Sequence, residues 1–176
     1  MQSLIAKSNY AFNSAVDSNS ETTTKNKLVT DQNGATGDNF RFGRYDARYN
    51  ACETIAVHNA KVLSGMDSTL SQTMYDCQSQ GAMLIEGYFG CNPLALGKVL
   101  DFYGIDNSSI QLSDMNLPGI YIISFWNEEP LKNGLHTVAV SYDGNTYTTY
   151  NLGGVSTQNP NEYIHQGYFI CGYKVG

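Results

Sequence analysis

Between Asn50 and Gly104 apolar residues recur at helical spacing in three runs, and beyond about residue 108 they give way to strand-like runs. The first, NACETIAVHNAKVLSG, carries Ile55, Ala56, Val62 and Leu63 on one face, and Gly65 ends it as a C′ residue. The second, DSTLSQTMYDCQSQG, has a stripe of Leu70, Met74 and Cys77, an N-cap at Asp67 or Ser68, and a stop at Gly81. In the third, NPLALGKVLDFYG, Asn92 caps, Pro93 takes the first helical position, and Leu96, Val99, Leu100 and Tyr103 form the buried face. PGIYIISFWN, LHTVAVSY, NTYTTYNL and GYFICGYKV are then rich in β-branched and aromatic residues, as strands are. This order predicts an α+β fold, with N-terminal helices packed on a C-terminal antiparallel β-sheet.

Residues 1–40 show no such period. SNSETTTKNK is typical of a segment that cannot bury enough apolar surface to order itself. The expectation is a polar arm or pro-like segment, draped or partly disordered, on a domain of residues 41–176. With 176 residues, the chain is long enough for one such domain and its core.

The formal net charge of −6 gives no footprint for nucleic acid or an anionic membrane. No run reaches the roughly 18 apolar residues of a membrane span, and MQSLIAKSNYAF lacks the apolar centre of a secretory signal. A soluble, cytoplasmic chain is expected as given, exported only if a leader has been removed. Cys52, Cys77, Cys91 and Cys171 form no C-x-x-C pair, so neither a disulfide framework nor a zinc site is expected. His58, His136 and His165 fall in no metal-binding pattern, and no cofactor is expected.

The chemistry that remains is that of a cysteine. A nucleophilic thiol must ionise near neutral pH, and the N-terminus of a helix helps through its dipole and free N–H groups. Cys52 has that setting if Asn50 is the N-cap and Glu53 completes a capping-box-like N-x-x-E. It then occupies the second helical position, where its own N–H is available to an oxyanion. The plainer reading is a small buried hydrophobe, because residues 52, 55, 56 and 59 share a helix face. Cys91 is the rival nucleophile, although it precedes Asn92 and so lies outside its helix. Cys77 and Cys171 read as core.

His136 opens LHTVAVSY, which runs through Asp143-Gly144 into NTYTTYNL. Asp-Gly between two strand runs favours a two-residue hairpin loop, which pairs Tyr142 with Asn145 and, by continuation, His136 with Asn151. Opposed side chains share a face, so the Asn151 carboxamide is placed to orient the His136 ring toward a thiol. The plainer reading is a half-buried strand histidine. His58 lies about 120° around the helix from Cys52 and does not face it. His165, in a polar stretch, reads as solvated.

Taken together, NACETIAVHNAKVLSG, GYFGCNPLALGKVLDFYGI and GLHTVAVSYDGNTYTTYNL resemble the C39-like branch of papain-like cysteine peptidases over about residues 42–152. The resemblance implies a papain-like catalytic domain in which Cys52, His136 and Asn151 form the triad, acting on a peptide or protein substrate through a Cys52 thioester. The long interval from Cys52 to His136 fits the family better than the shorter one from Cys91, although GCNPLALGKVLDFYG alone also resembles the nucleophile helix. In the family a Gln usually stands some six residues before the cysteine as the oxyanion donor; here that place holds Asp46. Asn50 and the Cys52 N–H are the substitutes. An acyltransferase with the same triad, and a papain-fold binding module without turnover, are the alternatives. Gly87, Phe89 and Gly90 are a cleft wall by analogy, and the Tyr121–Trp126 run reads as core rather than cleft.

Overall fold

The computed structural model describes residues 4–34, 38–127 and 134–176. Helix α1 (Leu4–Asp17) is followed by a short hairpin, β1 (Arg41–Phe42) and β2 (Tyr45–Asp46). A four-residue helix, α2 (Ala47–Asn50), leads at once into α3 (Cys52–Leu63). Helix α3 stops where the sequence predicts. Gly65 takes φ +74°, and the N–H groups of Gly65 and Met66 bond back to the Val62 and Lys61 carbonyls.

Helix α4 (Leu70–Ser79) is capped by Thr69, not by Asp67 or Ser68; the Thr69 hydroxyl accepts from the Gln72 N–H. Asn92 does cap, with Pro93 next, but it opens a 3₁₀ turn at Pro93–Ala95 that continues as α5 (Leu96–Phe102). Leu70, Met74, Cys77, Leu96, Val99 and Leu100 are all buried, as their spacing predicts.

Strands β3 (Asn107–Ile110), β4 (Gly119–Trp126), β5 (Leu135–Tyr142), β6 (Tyr147–Tyr150), β7 (Val155–Ser156) and β8 (Phe169–Val175) form one antiparallel sheet in the order β3-β8-β4-β5-β6-β7. Helix α6 (Pro160–Tyr163) lies between β7 and β8 in the chain. The helices and the antiparallel sheet make a mixed α+β structure. Alternation along β4 divides the core: Ile122 joins the helices' apolar cluster, whereas Tyr121, Ile123 and Phe125 join a second cluster with Val138, Val140 and Ile164. Most of the Tyr121–Trp126 run is therefore core.

The β5–β6 register differs from the two-residue turn expected. Tyr142 pairs with Tyr147 and Ala139 with Tyr150, which leaves Asp143–Thr146 as the loop. The cause is the Asp143 carboxylate, which accepts from both the Asn145 and Thr146 N–H groups at 2.8 Å. That Asx turn needs two more residues than a tight hairpin. The pairing slides by two, so side chains keep their faces, but His136 no longer stands opposite Asn151.

Residues 4–34 and 38–40 are built into the domain; residues 1–3 and 35–37 of the expected arm lie outside the described residues. Asn9 and Asn13 donate to the Gly43 and Arg41 carbonyls, and Val29 and Phe40 belong to the main core cluster. Asp17 accepts from Thr24 and from the Ser71 N–H, which ties α1 to α4. A polar segment orders here because its amides and hydroxyls satisfy backbone groups of the domain, not because it has a core of its own.

Candidate active site

Cys52 is the first residue of α3, one position earlier in the helix than the capping expectation placed it. Ala51 is the cap residue, and it offers no side-chain bond. Asn50 instead ends α2, and its Nδ2 donates to the Phe42 and Gly87 carbonyls at 3.0 and 2.6 Å. Both amide hydrogens are thereby engaged, so Asn50 supplies neither the N-cap nor an oxyanion donor. Its Oδ1 is buried without a partner among the described residues. The Cys52 N–H remains at the positive end of a 12-residue helix.

The Cys52 side chain is only 6% exposed, and two cavities meet at it. One, of about 330 Å³, is polar, with Gln32, Arg48, His136 and Asn151 in its wall. The other, of about 530 Å³, is walled by Tyr49, Leu84, Tyr88, Phe89, Trp126 and Leu135. Phe89 and Gly90 thus border a cleft, whereas Gly87 does not line it, and Trp126, expected in the core, does. At Gly43 a Cβ would come within 1.9 Å of the Glu86 carbonyl, so only glycine lets the β1–β2 hairpin touch the 84–90 loop. That loop carries Ile85 and Glu86 at φ +40° and +52°, where a β-branched residue such as Ile85 is strained.

His136 is the second residue of β5, opposite Phe125 on β4, whose ring meets the imidazole edge to face at 5.9 Å. The ring Nε2 lies 2.6 Å from the main-chain oxygen of Asn151. A carbonyl only accepts, so Nε2 carries the hydrogen and Nδ1 of the neutral ring keeps its lone pair. Burial lowers the His136 pKa, and the Asn151 carbonyl partly offsets this.

Asn151 thus reaches His136, but through its backbone rather than its carboxamide. Its φ of +74° turns the chain out of the strand. The Asn151 Oδ1 accepts the Gln32 N–H at 2.6 Å, and Nδ2 donates to Gln32 Oε1 at 3.3 Å. Gln32 in turn donates to the Ala47 and Arg48 carbonyls at 3.2 and 2.8 Å. The carboxamide therefore holds Gln32, whose own side chain bridges to the start of α2.

The sulfur of Cys52 lies 3.9 Å from the Leu135 carbonyl and does not hydrogen-bond the His136 ring. Burial raises its pKa well above the ordinary value, and the neighbouring Glu53 charge raises it further; the Thr137 and Glu53 N–H groups act the other way. Glu53, read from sequence as a capping-box partner, is 2% exposed and accepts the Cys91 N–H at 3.3 Å. Burial pushes its pKa from 4.5 to about 7. Neither Gln32 nor Glu53 announced its place in the sequence, because each is held by backbone groups distant along the chain.

Cys91 lies in the core beside Cys77, its pKa raised chiefly by burial, and it reaches the apolar cavity wall. His58 is buried, with ring nitrogens 2.8 Å from Ser68 Oγ and from the Lys27 carbonyl. His165 is exposed, and Cys171 is half-buried on β8. Asp46 is exposed and lines neither of the cavities at Cys52. No group of three or more His, Cys, Asp or Glu suited to a metal occurs among the described residues, and no described helix is long and apolar enough to cross a membrane.

No protein-family model matches the chain, and no curated protein matches it in sequence.

Proposed function

We propose that the chain is a cysteine-dependent hydrolase of peptide or amide bonds, of the papain-like kind, with Cys52 as nucleophile and His136 as base. The observation that carries the reading is the joint placement of the two groups. A thiol on the first residue of a 12-residue helix shares one cavity wall with a histidine whose Nε2–H is pinned by the Asn151 carbonyl. That leaves Nδ1 as the basic nitrogen.

In the reaction, Nδ1 takes the thiol proton and the sulfur attacks the acyl carbon. The C–N bond then breaks and the amine leaves with the proton from His136. Water next attacks the thioester; His136 accepts its proton and returns it to the sulfur. The Cys52 N–H at the helix end is the oxyanion donor, since the amide hydrogens of both Asn50 and Gln32 are spent on carbonyls. The separation of sulfur and ring in the free protein is compatible with this, because such contacts often tighten only with substrate bound.

One observation favours a second reading, a binding module of the same fold without turnover: the thiol is buried and its pKa raised, where a nucleophile needs it lowered. A pool of short peptide amides incubated with the protein and with Cys52→Ala decides between them. Products formed by the wild type and lost in the variant support hydrolysis. Products unchanged in Cys52→Ala, or absent from both, overturn it. Adding a competing amine and weighing the products separates hydrolysis from acyl transfer.

A further inference from the structure

A buried carboxyl beside a thiol is costly to keep, since charge inside a protein is expensive unless paired. Glu53 is such a group. It follows Cys52 on α3, borders the apolar cavity with it, and is 2% exposed. The carboxyl is fixed from outside the helix. Oε2 accepts the Cys91 N–H, and a Cβ on Gly90 would approach that oxygen to 2.8 Å, so the Gly90–Cys91 backbone lies directly against it. Its negative charge, on the residue next to Cys52, adds to burial in raising the thiol pKa.

The other titratable groups facing it are also thiols: Cys91 from the loop before the Pro93 turn and Cys171 from β8. No cation among the described residues shifts it. A carboxylate and a thiolate side by side in this setting repel each other.

We propose that Glu53 is a positioning residue of this site: ionised, its charge keeps the Cys52 sulfur protonated and uncharged, and protonated, it leaves the thiol free to give its proton to His136. No bond other than that to the proton changes. The inference rests on Cys52 being the nucleophile. Its alternative is purely structural, with Glu53 present only to bond the Cys91 N–H.

The carboxyl's elevated pKa, about 7, places this exchange in the neutral range. The sign follows from charge. Above that value Glu53 is negative and opposes the thiolate; below it Glu53 is neutral. His136, its pKa lowered by burial, stays neutral into mildly acidic solution, which leaves a window in which the base is free and the thiol unopposed.

Glu53→Gln separates the two roles, because a carboxamide oxygen still accepts from the Cys91 N–H but cannot ionise. Iodoacetamide labelling of Cys52, followed by peptide mass spectrometry from pH 5 to 9, needs no turnover. In Glu53→Gln the labelling profile is expected to move down by about one pKa unit, about tenfold faster at a pH where the wild-type thiol is mostly protonated. Any turnover should lose its decline above neutral pH. A folded Glu53→Gln protein with the wild-type labelling profile overturns the proposal.

Should that variant not fold, carbon-13 NMR of the glutamate carboxyls in wild type and Cys52→Ala gives the reciprocal reading. Cys52 beside it lowers the Glu53 pKa, so removing the thiol is expected to raise it, and an unchanged titration overturns the idea. Labelling that depends on Glu53 in a protein without turnover would sink the hydrolase reading and leave this one standing.

Discussion

Asn151 shows how a side chain can matter without touching the chemistry. It meets His136 through a main-chain carbonyl, which every substitution retains, while its carboxamide holds the Gln32 backbone in a site only 1% exposed. Asn151→Ala should therefore cost stability, about 2–4 kcal/mol from an orphaned buried N–H plus an unfavourable positive φ. Asn151→Gly should cost about 1 kcal/mol less, since glycine accepts that φ. Thermal melts compare the two, and nitrogen-15 NMR of His136 should still find the hydrogen on Nε2 in Asn151→Gly. Loss of that tautomer in a folded protein would mean that the carboxamide, not the carbonyl, orients the ring.

The sequence made the meeting of residues 136 and 151 legible, but for the wrong reason. Asp-Gly marks the turn, yet whether the Asp143 side chain caps two N–H groups and lengthens the loop is decided by three-dimensional geometry. The same holds for Asn50: a polar residue two before a helix reads as its cap, whereas here it closes α2 and bridges the Phe42 and Gly87 carbonyls.

At the scale of elements, helices α3 to α5 and strands β4, β5 and β8 are legible because each has a periodic apolar face buried on the core. Strand β3, with its NSSI sequence, is not, because it is a polar edge recruited by backbone pairing with β8 alone. The N-terminal segment is illegible for a related reason: its bonds are polar and go to distant partners. The Lys27 carbonyl bonds His58, the Val29 N–H bonds Asn59, and the Thr30 carbonyl takes the Asn151 N–H. A removable pro-segment would leave a finished domain behind, but this one fills the core with Val29 and orders Asn151. Deletion of residues 1–33 is therefore expected to yield an unfolded or aggregated protein rather than an activated one. Circular dichroism and a melting scan check this; a truncated protein with a cooperative melt and a faster-labelling Cys52 would restore the pro-segment idea.

For the molecule as a whole, two buried groups on one helix set opposing responses to pH. His58 has its pKa lowered by burial to about 4 from an ordinary 6.5. The unfolded chain takes up a proton there that the native protein refuses, so this contribution is full above 6.5 and declines as pH falls toward 4. Glu53 runs the other way. Its native pKa of about 7 exceeds the ordinary 4.5, so the native protein holds a proton the unfolded chain has released. That contribution is full below 4.5 and is lost as pH rises to 7. Each amounts to about 3 kcal/mol across its window, and between pH 4.5 and 6.5 the two slopes cancel. Urea unfolding of the wild type should show little pH dependence from these groups over that interval. Glu53→Gln removes one slope, and its stability should climb by about 3 kcal/mol from pH 4 to 6.5; His58→Gln should show the mirror image, falling between pH 4.5 and 7. A Glu53→Gln protein as flat as the wild type would mean that Glu53 titrates like an exposed carboxyl, which its place beneath the Gly90–Cys91 backbone argues against.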